Sequence, residues 1–254
     1  MLILISIPTG NHVQLQYCSL TGTIPEWIGS KGALTTLGLG NNFLTGTVPN
    51  SIAKLDKLRI LGLDDNAFRG DIATFRPLVK LQSLYLEDNM FTGELTSEMM
   101  NLWDEMEELD LSNNDIASQV PANLFESENL AVIDLHGNRM TGDLPEVTTA
   151  NTALQFLALW NNTLTGAIPA SLNKLEGLRH LDLSMNYFTS YPDALQQMTN
   201  LTYLFFGSNE YEEAQLPQWL LQLTNLEELS VKDSNLVGPI PDEIGQLSKL
   251  RLLE

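Results

Sequence analysis

The sequence predicts an α/β solenoid: a stack of about ten short coils with a parallel β-sheet along one side. Three observations predict it. An asparagine-centred block recurs with its key position at Cys18, Asn42, Asn66, Asn89, Asn114, Asn138, Asn162, Asn186, Asn209 and Ser234, at spacings of 23–25 residues. Ahead of that position stands a Leu-x-Leu triplet, as in Leu37-Gly38-Leu39, and 47 leucines fill such slots along the chain. Behind it come a glycine and then a proline, as in Leu164-Thr165-Gly166-Ala167-Ile168-Pro169. A fixed period of this size is the mark of units that bury an apolar face only by stacking on their neighbours.

Each slot of the block has a physical reason. In Leu-x-Leu the two leucines point one way and the residue between them the other, which is strand alternation with one buried face. The asparagine follows where the chain turns inside the coil. There its amide is expected to donate to and accept from backbone groups that would otherwise be buried and unpaired. Cys18 and Ser234 occupy the same slot at the two ends, and the ladder role of Cys18 competes with a reading as a reactive thiol. The glycines Gly22, Gly46, Gly70, Gly93, Gly142, Gly166 and Gly238 suit a turn with positive φ. Eight of the 11 prolines, Pro25, Pro49, Pro121, Pro145, Pro169, Pro192, Pro217 and Pro241, close the block, where a missing N–H suits an extended edge. A short helical stretch follows each, with leucines three apart, as in Leu172 and Leu175. Irregular places are the loop-side segments Glu210–Gln215, one residue longer than usual, and Thr189–Tyr191, one shorter. Thr74–Lys80 also departs from the usual stretch after the proline.

Composition narrows the function. With 13 Lys+Arg against 32 Asp+Glu the 254-residue chain carries a net charge of −19, which repels phosphate backbones and anionic lipid, so neither nucleic acid nor a membrane surface is an expected partner. At 43% hydrophobic residues it is too apolar for a disordered acidic tail. One cysteine makes neither an internal disulfide nor a zinc knuckle. The apolar run Met1–Ile7 is short, lacks a basic flank and ends at Pro8, so no signal peptide or transmembrane segment is expected within this chain. On this reading residues 1–11 are an atypical N-terminal cap segment and 12–249 the solenoid. Residues 250–254 begin a truncated further repeat.

The whole pattern LxxLxLxxNxLTGxIP, carried over about residues 12–254, resembles the plant-type leucine-rich repeats. These are found in receptor-like kinase ectodomains, receptor-like proteins and polygalacturonase-inhibiting proteins. The resemblance implies a right-handed leucine-rich-repeat horseshoe with its sheet on the concave side. It also implies a non-catalytic module that recognises a protein or peptide there, as part of a receptor-like protein outside the cell or at its surface. A secreted inhibitor of a hydrolase and a structural wall or matrix repeat are the alternatives. Two departures stand out. The cysteine-paired cap of the family is replaced by Leu4–Gly10, and the chain stops at Leu250–Glu254 without a capping unit, as a fragment would. A bare strand edge with leucines invites pairing, so self-association through that end is expected.

Alternation assigns the outward residues of each strand. Carboxylates gather in blocks three to six, at Asp64, Asp65, Glu87, Asp88, Glu108, Asp110 and Asp134, with Tyr85 among them. Asp110 and Asp134 are expected side by side on adjacent strands, repelling one another until a cationic partner relieves them. Blocks seven to nine present Phe156, Trp160, Tyr203 and Phe205, with His136 and His180 alongside. Grouped aromatics on a sheet face are typical interface anchors. The ligand expected is therefore a protein or peptide with a basic segment on the acidic zone and an apolar side chain against Phe156, Trp160 and Phe205. His12, His136 and His180 all fall on this face, which raises pH-gated binding. No cofactor, metal or catalytic residue is expected. Glu87, Asp110 and Asp134 are the nearest approach to an acid–base or calcium set, but they lie on an open sheet with no nucleophile paired to a base and no phosphate loop. Asn161 and Asn200 head glycosylation triplets.

Overall fold

In the computed structural model, the structure describes residues 10–191 and 193–254. The Met1–Ile7 run, Pro8, most of the 1–11 segment and the block-closing Pro192 lie outside the described residues. The chain forms two compact units that part between Ser118 and Gln119. Among the described residues no helix is long and apolar enough to cross a membrane.

Each unit is a stack of parallel strands built from the Leu-x-Leu triplets. In the first unit the strands are His12–Gln14, Thr36–Gly38, Ile60–Gly62, Ser83–Tyr85 and Glu108–Asp110. They pair in chain order, with His12, Thr36, Ile60, Ser83 and Glu108 side by side. The second unit repeats the arrangement with Val132–Asp134, Phe156–Ala158, His180–Asp182, Tyr203–Phe205, Glu228–Ser230 and Leu252–Leu253. The central residues Leu37, Leu61, Leu84 and Leu109 of the first unit, and Ile133, Leu157, Leu181, Leu204 and Leu229 of the second, have no exposed surface. Full burial of each such side chain is worth about 1.5–3 kcal/mol, and no coil supplies the covering surface by itself.

The Leu-Thr-Gly segments do not form the turns expected of them. They are further parallel strands: Thr21–Gly22, Phe43–Thr47, Ala67–Asp71 and Met90–Thr92 in the first unit, and Thr141–Asp143, Thr163–Ala167 and Tyr187–Ser190 in the second. The glycine keeps the positive φ that singled it out, +83° at Gly46 and +75° at Gly166, but within an extended segment. The threonine beside it holds neighbouring coils together: Thr189 Oγ1 donates to the Gly166 carbonyl at 3.2 Å and Thr92 Oγ1 to that of Gly70 at 3.3 Å. The one-residue shortening at Thr189–Tyr191 is absorbed here by a slip of register between Gly166 and Ala167.

After Pro25, Pro49, Pro121, Pro169, Pro217 and Pro241 the chain makes 3₁₀ rather than α turns, and after Pro145 the expected helical stretch is absent. Pro49 and Pro169 are extended, at φ −68° and −66°, and their carbonyls accept from Ile52 N at 2.9 Å and Leu172 N at 3.0 Å. Leucines three apart match a helix of three residues per turn, and Leu172, Leu175 and Leu178 are accordingly all buried. Where the proline is missing, a side chain takes over the start. Asp71 Oδ1 accepts from Ala73 N at 2.8 Å ahead of Ile72–Phe75, and Thr96 Oγ1 accepts from Met99 N at 3.2 Å ahead of Ser97–Leu102, the one α-helix among the described residues.

Between the two strands of a coil the chain reverses, and two residues make the reversal. The first adopts left-handed φ of 47–62° at Asn41, Asp65, Asp88, Asn113, Gly137, Asn161, Met185, Ser208 and Asp233. Asn, Asp and Gly tolerate that conformation best, and their frequency just before the asparagine slot is a signal of the reversal that is legible in the residues themselves. The second is the asparagine itself. Asn42 Nδ2 donates to the carbonyls of Leu15, Leu39 and Gly40 at 2.8–2.9 Å, and its Oδ1 accepts from Cys18 N and Leu20 N of the preceding coil. Asn66, Asn89 and Asn114 repeat this in the first unit, and Asn138, Asn162, Asn186 and Asn209 in the second. At the ends the bonding is thinner. Cys18 is exposed and its Sγ donates only to the Gln16 carbonyl at 3.2 Å, while the buried Ser234 donates Oγ–H to the Val231 carbonyl.

Asn162→Ala is therefore expected to destabilise the chain by about 3 kcal/mol, because the Met140 N–H and the Leu135 and Leu159 carbonyls lose their partner inside the coil. Cys18→Ala should stay within about 0.5 kcal/mol of the parent. Urea unfolding of both variants checks the contrast, and equal losses would contradict it.

Candidate ligand-binding face

The strand face of the second unit is a grid of three rows. Register sets the first as Val132, Phe156, His180, Tyr203 and Glu228, and the second as Asp134, Ala158, Asp182, Phe205 and Ser230. Backbone hydrogen bonds continue the pairing to a third row of His136, Trp160, Ser184, Gly207 and Lys232. Strand alternation puts all of these on the side away from the leucines.

The aromatics of the grid are half-buried rather than fully exposed, because histidines pack on them. The His136 ring lies flat on Trp160, centroids 4.3 Å apart and planes 9° from parallel. The His180 ring lies on Phe156 at 4.2 Å and 18°, and meets Tyr203 at 5.5 Å and Phe205 at 5.7 Å. The most exposed large apolar residues, Tyr17, Phe43 and Ile240, stand outside the outward strand rows. His136 is anchored by Asp134, whose Oδ1 accepts from its Nδ1 at 2.7 Å and from its backbone N at 3.1 Å. Burial in the ring cluster holds the His180 pKa below the usual imidazole value, with Asp134 opposing. Burial raises Asp182, against the two Ser184 hydrogen bonds that favour its charged form. Asp182 is missing from the residues singled out in the sequence; its place in the middle row between Ala158 and Phe205 was the signal that could have found it.

The first unit carries its own carboxylates, and they are largely engaged with each other's surroundings. Asp64 Oδ2 accepts from Asn41 Nδ2 at 2.8 Å, and the side chain lies over Gly40, where a Cβ would run into it. Asp110 Oδ1 accepts from Ser112 N and Oγ, and the Tyr85 hydroxyl donates to Glu108. Burial, with that Glu108 contact, pushes the Tyr85 pKa up to about 12. Glu87 is the residue under most stress. Burial first, then the charges of Asp110, Asp64 and Asp65, push its pKa to about 8, and its buried Oε2 has no hydrogen-bond partner. His12 pairs with Thr36 Oγ1 at 2.9 Å. Asp110 belongs to the first unit and Asp134 to the second.

The irregular blocks eight and nine are not loop-side decoration. Tyr211 is 2% exposed, stacks on Tyr191 at 4.6 Å and meets Phe206 at 6.1 Å. The Tyr191 hydroxyl donates to the Ser234 carbonyl, and Trp219 Nε1 donates to Asp193 at 2.7 Å. The one-residue changes in these two blocks thus bring the half-buried Tyr191 against the buried Tyr211.

Models of the leucine-rich repeat match residues 152–210 and, one repeat at a time, residues 33–55, 80–102, 105–127 and 225–247. Receptor-like protein 41 of Arabidopsis thaliana is 30% identical over 157 residues, which are 61% of this chain and 15% of that protein. The leucine-rich-repeat ectodomain of the membrane receptor kinase GASSHO1/SCHENGEN3 of Arabidopsis thaliana was solved in complex with CASPARIAN STRIP INTEGRITY FACTOR 2. It superposes with a TM-score of 0.86 at 30% identity, covering 95% of this chain and 29% of that one. The plant peptide hormone receptor RGFR1, in complex with RGF2, superposes with a TM-score of 0.76 at 27% identity, covering 95% of this chain and 42% of that one. The chain thus spans well under two thirds of the proteins it matches.

The Glu87 shift has a defined pH signature. Its carboxyl ionises near 4.5 when unfolded and near 8 when folded, so the fold favours the protonated form. That contribution is complete below pH 4.5 and is lost as pH rises through 8. Glu87→Gln should raise the melting temperature at pH 9 relative to the parent and leave it nearly unchanged at pH 4. Melting curves of both proteins across that range decide it; a constant offset would overturn the assignment.

Proposed function

This chain belongs to the plant-type leucine-rich-repeat family, and on that footing we propose that it is the recognition part of a receptor-like cell-surface protein and binds a peptide or protein on the strand face of its second unit. The observation that carries the reading is the interlocked row of His136, Trp160, Phe156, His180, Tyr203 and Phe205. A half-buried, ring-stacked surface of this kind is already rigid, so a ligand docking on it loses little further conformational freedom of the receptor. The relatives support the reading by what they hold: the GASSHO1/SCHENGEN3 ectodomain was solved with CASPARIAN STRIP INTEGRITY FACTOR 2 and the peptide hormone receptor RGFR1 with RGF2.

Charge shapes the choice of partner. At −19 net the chain draws basic ligands from a distance and repels acidic ones. The first unit carries an acidic surface of its own at Asp64, Glu87, Glu108 and Asp110, and the rings of the second unit take an apolar side chain of the ligand. The activity read here is recognition, with Asp64, Asp110, Asp134 and Asp182 held in place by hydrogen bonds from neighbouring residues.

Replacing both Trp160 and Phe205 by alanine should abolish binding without unfolding the chain, since both lie outside the leucine core. Selection of binders from a random peptide library on the parent protein, followed by titration of the selected peptides against the double variant, tests this. A loss of about tenfold or more with an unchanged circular dichroism spectrum is the expected result, and equal affinity refutes the reading.

A further inference from the structure

The half-buried indole of Trp160 presents two faces. His136 stacks on the first; on the other side the third row continues through Ser184 and Gly207, and no further ring packs on the indole among the described residues. The floor is low by necessity at Gly207, where a Cβ would run into the backbone carbonyl of Lys232. Beside this floor, in the middle row, stands Asp182. Its Oδ1 accepts from Ser184 N at 2.9 Å and Ser184 Oγ at 2.6 Å, and no cation of the described residues forms a salt bridge with it. The imidazole nearest to it in the third row, His136, is hydrogen-bonded to Asp134, and its charge favours the ionised form of Asp182 without bonding to it.

We propose that Trp160, Asp182 and the Ser184–Gly207 floor form a subsite for the guanidinium of a ligand arginine. This rests on the reading of the strand face as the ligand site and names the chemistry of one of its pockets. A half-buried carboxylate that forms no salt bridge favours a cation, and an indole face on which no ring packs adds a second attraction of the same sign. The two demands are met together by a planar, delocalised group that lies on the ring while its edge N–H groups reach the carboxylate; a compact ammonium meets the second and only weakly the first. The permanent positive charge of the third row is distant. Lys232 stands three strands from Trp160, roughly 14 Å at the usual strand spacing and beyond the roughly 8 Å screening length of physiological salt. Burial keeps His180, two residues from Asp182, uncharged at neutral pH. Asp182 is on this account a specificity-determining residue.

The test uses the full chain, N-acetyl-arginine amide, and N-acetyl-citrulline amide, which keeps the shape but not the charge. The chain has four tryptophans, and Trp160→Phe identifies the indole N–H signal of Trp160 by nuclear magnetic resonance. The arginine derivative should shift that signal saturably, and the citrulline derivative about tenfold more weakly. Asp182→Asn, which still accepts from Ser184 N, should lower arginine affinity to the citrulline level while leaving the melting temperature in place. Equal response to the two probes, shifts confined to other indoles, no saturable shift at all, or an unchanged affinity in Asp182→Asn overturns the proposal. Any of these alongside a binding loss in the Trp160/Phe205 double variant would remove the arginine subsite and leave the ligand face standing.

Discussion

One constraint governs the rest of the structure: a coil of some two dozen residues must reverse direction in its own interior without leaving backbone N–H and carbonyl groups unpaired there. The asparagine amide meets it. Its two N–H bonds serve carbonyls of its own coil and of the one before, and its oxygen takes an N–H of the preceding coil. The amide is thus at once a turn former and a fastener between coils, and its spacing sets the period. Serine at 234 and cysteine at 18 bond less of the backbone than the asparagines do.

Once the reversal is solved in this way, the leucines have a single direction to face and the residues between them have the other. The outward rows carry no packing duty toward the core, and this leaves them free to vary. In the second unit that freedom has been used to assemble rings. His136 on Trp160 and His180 on Phe156 are cross-strand pairs one strand spacing apart, close enough for flat stacking. In the first unit the same positions hold carboxylates and glycines, and acidic side chains lie down over the glycine backbone. One scaffold therefore presents two surfaces of different chemistry.

Crowding like charges on a sheet has a cost, and the structure shows how it is distributed. Asp110, Asp134 and Asp182 each accept two hydrogen bonds from the residue two positions on, Ser112, His136 and Ser184. Such bonds favour the ionised form and offset burial. Glu87 has no equivalent partner for one of its oxygens, and the strain of the acidic face collects there.

The sequence by itself determined the period, the buried leucine rows, the glycines with positive φ and the residues that face outward, because each depends on interactions repeated at every turn of the coil. Local chemistry one residue away was equally readable, as the run of Asn, Asp and Gly at the left-handed position shows. What only the tertiary structure decided is of another kind. Leu-Thr-Gly segments become strands rather than turns because their hydrogen bonds are made to the next coil, not within their own. Tyr211 goes inside because block eight, shortened by one residue, places Tyr191 against it. Asp182 acquires its meaning from Trp160 and Gly207, each 22 to 25 residues away in the chain, and alternation along a single strand carries no information about which side chains from other coils will lean over it.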